Sequence, residues 1–170
     1  MTNEFIIREA VSTAIPALAQ LQVVTWAATY PEVKDPPAFE IRAWQWEQQF
    51  NSMDKNWFCF VIENEKTGLI GFAKGITYDH NELPQFKGEL NKIYILKQYQ
   101  QHGLGTRLLE TVVKRFLSIG INSMVLFGEA QNPFLAFYEK TGGKKFYAKN
   151  GEFHGGYGWT DLKKTFSVNE

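Results

Sequence analysis

The chain has 170 residues, 44% of them hydrophobic and 15% aromatic, with 18 Lys and Arg balanced by 18 Asp and Glu. That length suits one domain and that composition excludes a disordered chain. Zero net charge and the lack of a basic run argue against a nucleic-acid or membrane-surface binder, and a lone Cys59, set in the apolar run Trp57–Val61, excludes a disulfide framework or a cysteine-built zinc site.

Met1–Phe5 has neither a basic segment nor a long apolar stretch, so a soluble, cytoplasmic protein is expected. Phe5–Arg8 reads as a short strand. Ser12 or Thr13 is placed to cap a helix running to about Tyr30, with Pro16 tolerated in its first turn. Pro31, Pro36 and Pro37 break the chain before a second helix, Ala38–Phe50. Trp57–Glu63, Leu69–Tyr78 and Gly88–Leu96 follow as strands, the first two joined by the turn residues Asn64–Gly68. The strongest helix starts at Gly103: Leu104, Leu108, Leu109, Val112, Val113, Phe116 and Leu117 form one apolar stripe, and Gly120 ends it. Ser123–Phe127 reads as a buried strand, Pro133–Lys140 as a short helix, and Lys144–Lys149 and Tyr157–Thr165 as the last strands. With no repeat or linker, positions 1–170 read as one α/β (α+β) domain. Its mixed, mostly antiparallel sheet has about seven strands flanked by about four helices and contains one strand-helix-strand crossover.

The stretch that carries chemistry is Lys97-Gln98-Tyr99-Gln100-Gln101-His102-Gly103-Leu104-Gly105-Thr106, between a strand and the best helix. Glycines 103 and 105 let backbone approach a ligand without a Cβ in the way. A helix's first turn offers N–H groups lacking intrahelical partners and the positive end of the dipole. Together they predict an anion cradle, although glycines at such a junction also serve plain turns. The phosphate loop of nucleotide triphosphatases does not match, since no Gly-Lys-Ser/Thr follows, and neither does the dinucleotide fingerprint, which needs a third glycine.

Gln100-Gln101-His102-Gly103-Leu104-Gly105 resembles the Gln/Arg-x-x-Gly-x-Gly/Ala loop of the GNAT superfamily of acyl-CoA-dependent N-acyltransferases. Asn132-Pro133-Phe134-Leu135-Ala136-Phe137-Tyr138-Glu139-Lys140-Thr141-Gly142 is similar to that family's second signature. The resemblance implies a single GNAT-type domain with acetyl-CoA as cosubstrate and no metal. N–H groups from Gln101 to Thr106 would hold the pyrophosphate, and the strand edge at Ile93, Tyr94 and Ile95 would pair with the pantetheine amides. Asn132 would contact the cofactor arm or simply cap the helix, and Lys140 would approach a phosphate or remain solvated. Tyr138 matches the tyrosine beside the sulfur, where a phenol can protonate the leaving thiolate; its plainer role is packing. Glu89, at the start of the cofactor strand, is the candidate base or an ordinary strand-end charge. Phe127 stands where some relatives keep a Glu, and Glu129 is a weaker substitute nearby.

Gly142-Gly143, Tyr157-Gly158-Trp159-Thr160-Asp161 and Trp26-Ala27-Ala28-Thr29-Tyr30 resemble features of a PaiA-like, polyamine-directed subgroup. The implied partner is a small-molecule amine or polyamine acceptor, with a protein or peptide amine and a non-catalytic acyl-CoA-binding module as alternatives; the family also allows a homodimer. On the acceptor side Trp26, Tyr30, Trp44 and Trp46 are candidate walls for a cation, and Glu40, Glu47, Asp79 and Glu82 candidate charges, or else core and solvated residues respectively. His80, His102 and His154 show no metal-ligand spacing.

Overall fold

A computed structural model describes residues 4–168; Met1–Asn3, read above for a targeting signal, lie outside the described residues. Seven strands form one sheet, β1 (Phe5–Glu9), β2 (Trp57–Asn64), β3 (Gly68–Thr77), β4 (Gly88–Ile95), β5 (Met124–Phe127), β6 (Lys144–Lys145) and β7 (Gly156–Trp159), in the order β1-β2-β3-β4-β5-β7-β6. The described α-helices are α1 (Ile15–Thr29), α2 (Phe39–Asn51), α3 (Leu104–Ser118), α4 (Leu135–Lys140) and α5 (Leu162–Thr165). The sheet is mixed as expected: β1 and β2 pair antiparallel, and the α3 crossover makes β4 and β5 parallel, through Gly88–Met124 and Glu89–Val125. The chain gathers into two compact units, residues up to Lys74 with Lys92–Leu108, and Gly75–Asn91 with residues from Leu109 onward.

In the first unit, α1 and α2 cover a core of Leu18, Ala19, Leu21, Trp46, Cys59, Val61 and Phe72, against which Tyr94 and Leu96 pack. Ser12 and Thr13 do not cap α1. Ser12–Ala14 forms a 3-10 turn, with Ala14 N–H donating to Val11 O at 2.9 Å, and Pro16 occupies the first helical turn, where no N–H is needed. The β2–β3 hairpin turns where the sequence indicates: Asn64 Oδ1 accepts from Lys66 N–H at 2.9 Å, and Gly68 takes φ +80°.

In the second unit the α3 stripe is realised, with Leu109, Val112, Val113 and Phe116 fully buried, and Gly120 adopts φ +82° just beyond the helix. Two expectations fail in the last segment. The strand read as Lys144–Lys149 pairs only at Lys144 and Lys145, and the strand read as Tyr157–Thr165 stops at Trp159. Asp161 ends the second by capping α5: its carboxylate accepts from Lys164 N–H at 3.1 Å, and Asn122 Nδ2 donates to it at 3.1 Å. A helix cap and a strand end draw on the same short polar residues, so alternation alone could not mark this boundary.

Candidate active site

Two left-handed residues shape the loop at the start of α3: Gln101 at φ +63° and Gly103 at φ +77°. Gln100 ties the loop to β4, its Nε2 donating to Ile95 O at 2.9 Å and its backbone N–H to Lys97 O at 3.2 Å. Gln100 thus spends its backbone N–H and one of its two side-chain N–H groups within the protein and supports the loop. The first helical bond of α3 runs from Arg107 N–H to Gly103 O at 3.1 Å. The N–H groups of Leu104, Gly105 and Thr106 thus belong to the first turn, which has no preceding carbonyls to bond them. Gln101, His102, Gly103 and Thr106 are exposed, whereas Leu104 is buried. A Cβ built on Gly103 would meet nothing within 4 Å, so open space lies before the turn. Alternating left-handed residues ahead of a helix start make a concavity of N–H groups suited to a phosphate.

Ile93, Tyr94 and Ile95 end β4 in the same unit and are half-buried. Tyr94 packs its ring 5.6 Å from Phe72, and burial, then the neighbouring Tyr30, pushes its phenol above the ordinary value while Arg42 opposes them. The Cβ position of Gly71 on β3 lies 2.8 Å from Tyr94 O, so β3 touches the backbone of this segment closely.

The second unit holds Glu89, Asn132, Tyr138 and Lys140. Tyr138 is buried, 6% exposed, with Phe137, Tyr157 and Trp159 ring centroids at 5.5, 5.6 and 6.4 Å. Gly143 lets the chain return against it: its N–H donates to Tyr138 O at 2.9 Å, and an added Cβ would sit 2.7 Å from the Trp159 ring. Asn132 Oδ1 accepts from Phe134 N–H at 2.8 Å, a local turn ahead of α4. The helix itself begins after Phe134 with no side-chain cap, so Asn132 is not its N-cap. Glu89 is half-buried and accepts from Asn91 Nδ2 at 3.0 Å. Burial, and then the Glu89 carboxylate, raise the phenol of Tyr78. Lys140 is exposed at the end of α4, and Glu129, His80 and His154 are exposed as well.

Several contacts escaped the sequence reading. Tyr157 donates its phenol to Glu139 Oε1 at 2.9 Å; burial and this bond push it up to about 12, while the Tyr157 hydroxyl and Lys145 hold the Glu139 carboxyl below its usual range. Of the aromatic candidates, Trp46 is buried and donates to Gln22 Oε1 at 3.0 Å, Trp44 is 58% exposed, and Trp26 packs against Tyr30 at 5.3 Å with the rings tilted by 49°. Glu40, Glu47, Asp79 and Glu82 are all exposed. Arg42, Lys74 and Lys92, which no motif marks, line a pocket instead. Cys59 is buried in the core and desolvation pushes its thiol up to about 12, which removes it as a nucleophile.

Residues 18–143 match the model of the acetyltransferase (GNAT) family. The chain is 29% identical over 163 residues to the uncharacterized N-acetyltransferase YuaI of Bacillus subtilis (strain 168), covering 92% of this chain and 93% of that protein. Among solved structures, the PaiA N-acetyltransferase of Thermoplasma acidophilum in complex with coenzyme A has a TM-score of 0.70 at 21% identity, covering 91% of this chain and 97% of that one. An acetyltransferase of the GNAT family from Staphylococcus aureus Mu50 has a TM-score of 0.72 at 15% identity, covering 94% and 99%. At these identities the two structures share the fold.

Proposed function

Because the chain belongs to the acetyltransferase (GNAT) family and is an N-acetyltransferase, we propose that it moves an acetyl group from acetyl-CoA to the primary amine of a small molecule by direct attack in a ternary complex. The observation that carries this reading is the loop with Gln101 and Gly103 both left-handed, immediately ahead of the first turn of α3. Bound acetyl-CoA supplies the acetyl group as an activated thioester.

The chain's own residues have the following roles. N–H groups from Gln101 to Thr106 bind the pyrophosphate, with the Thr106 hydroxyl as an added donor and His102 flanking the anion. Gln100 positions this loop through its bond to Ile95 O. The backbone of Ile93, Tyr94 and Ile95 pairs with the pantetheine amides, as a sheet edge pairs with an extended peptide. Asn132 serves the same arm with its side-chain amide while its Oδ1 holds the turn ahead of α4. Lys140 offers charge to a phosphate. Tyr138 holds a proton at its phenol oxygen for the departing sulfur, and its packing between Tyr157 and Trp159 fixes the ring for that task. Glu89 accepts a proton from the acceptor ammonium, directly or through water, because only the neutral amine has a lone pair to donate. Cys59 takes no part, in keeping with transfer that needs no covalent enzyme intermediate.

Thiol release from acetyl-CoA in the presence of a panel of primary amines tests this. Turnover with at least one small amine is expected. Saturable CoA binding without turnover of any amine would leave an acyl-CoA-binding module in place of an enzyme.

A further inference from the structure

We propose that the pocket lined by residues of α1, α2, β3 and β4 holds an anionic group, a carboxylate or a phosphate, carried by the acetyl acceptor; this deepens the acyl-transfer reading and rests on it. The pocket measures about 230 Å³. Its lining includes Arg42, Lys74 and Lys92, and no Asp or Glu among the described residues. Drug-sized ligands occupy pockets from roughly 300 Å³ upward, so this one is scaled to a single charged group on a short stem.

The side chains around it supply N–H donors and positive charge for an oxyanion. Arg42 Nη1 donates to Gln45 Oε1 at 3.3 Å, but Arg42 Nε is buried with no hydrogen-bond partner. A desolvated guanidinium N–H with nothing to donate to is an unusual feature of a folded protein. The Nε side of the fork is one from which carboxylates and phosphates accept two parallel bonds. Lys74 Nζ donates to Gln49 Oε1 at 2.5 Å and lies 5.7 and 5.8 Å from the ring centroids of Trp46 and Trp57, which fixes its charge at the pocket wall. Trp46 is itself anchored by Gln22. Lys92 on β4 directly precedes Ile93, so the third cation is one residue from the strand edge assigned to the cofactor arm. A polyamine, one acceptor that the sequence resemblance suggests, would bring like charge to three cations here, whereas an amine that also carries an acid group is matched.

Matched amines test the proposal: glycine against glycinamide, 2-aminoethyl phosphate against 2-aminoethanol, and spermidine as the polycation. Thiol release should show kcat/KM at least tenfold higher for one acidic member than for its neutral partner, even though glycinamide presents more neutral amine at a given pH. The pair that shows the preference identifies carboxylate or phosphate as the recognised group. Spermidine should fall below the neutral amines. Arg42→Gln and Lys92→Gln should each cut the acidic-to-neutral ratio at least fivefold, through KM. Calorimetric titration of the preferred acidic amine, without acetyl-CoA, should give saturable binding that Arg42→Gln weakens at least fivefold. Equal turnover within both pairs, a preference for spermidine, or a ratio unchanged in both variants overturns the proposal. The two readings fail separately: absence of acetyl-CoA binding removes the acyl-transfer reading, while titration of both glycine and 2-aminoethyl phosphate still decides whether the pocket takes an anion.

Discussion

Replacing Gly103 and Gln101 separates a backbone cradle from a side-chain one. Gly103 sits at φ +77°, a conformation that costs an L-residue roughly 1–2 kcal/mol. A Cβ there would meet nothing within 4 Å, so Gly103→Val acts through conformation and not through a clash in the free protein. Since Gln101, His102 and Gly103 are exposed, the substituted loop relaxes when free, and the cost appears when it must return to its native shape around the pyrophosphate. At about 1.4 kcal/mol per factor of ten, acetyl-CoA affinity should fall roughly 5- to 30-fold. Gln101 already bears such a cost at φ +63°, and Gln101→Gly removes it. If the N–H groups do the binding, Gln101→Gly should keep or slightly improve affinity. Isothermal calorimetry with acetyl-CoA reads both variants, with melting curves to confirm the fold. Undiminished affinity in Gly103→Val, or loss of affinity in Gln101→Gly, would refute the reasoning.

Three further outcomes follow from the same geometry. Tyr138→Phe should lower kcat about 10²-fold or more while calorimetry finds acetyl-CoA affinity unchanged, and undiminished turnover would remove its role as proton donor. Gly71→Ala places a Cβ 2.8 Å from Tyr94 O, so denaturant melts should show a loss of about 1–3 kcal/mol together with weaker acetyl-CoA binding as β4 shifts; wild-type values for both would contradict the close approach. The Cys59 thiol is raised from 9.0 to about 12, so the native state keeps a proton that the unfolded chain releases above pH 9. Stability should therefore fall as pH rises through that window, by about 2 kcal/mol near pH 10.5 from this group. Urea melts of wild type and Cys59→Ala should show a shallower alkaline decline in the variant; parallel declines would count against it.

The readable parts of this protein were those set by local chemistry. The α3 stripe, the stop at Gly120 and the Asn64–Gly68 turn follow from spacing and from residues that turn the chain, and each element formed where its residues indicate. The crossover from β4 to β5 follows from one helix lying between two strands. The loop from Gln100 to Thr106 was visible as glycines before a helix, but the left-handed state of Gln101 was not, because a non-glycine residue at positive φ is set by its surroundings. Alternation in the sequence continues past Trp159, but the strand ends there because Asp161 caps α5. Arg42, Lys74 and Lys92 come from three separate elements and share no spacing, so only the folded chain brings them to one pocket. The Tyr157–Glu139 pair is likewise joined by the return of β7 toward α4.

The most direct test of the account is a coenzyme A titration followed by amide resonances of the ¹⁵N-labelled protein. The account predicts saturable shifts at the backbone amides of residues 101–106, larger than those elsewhere on α3. Binding that leaves those amides unmoved, or no binding at all, would contradict it.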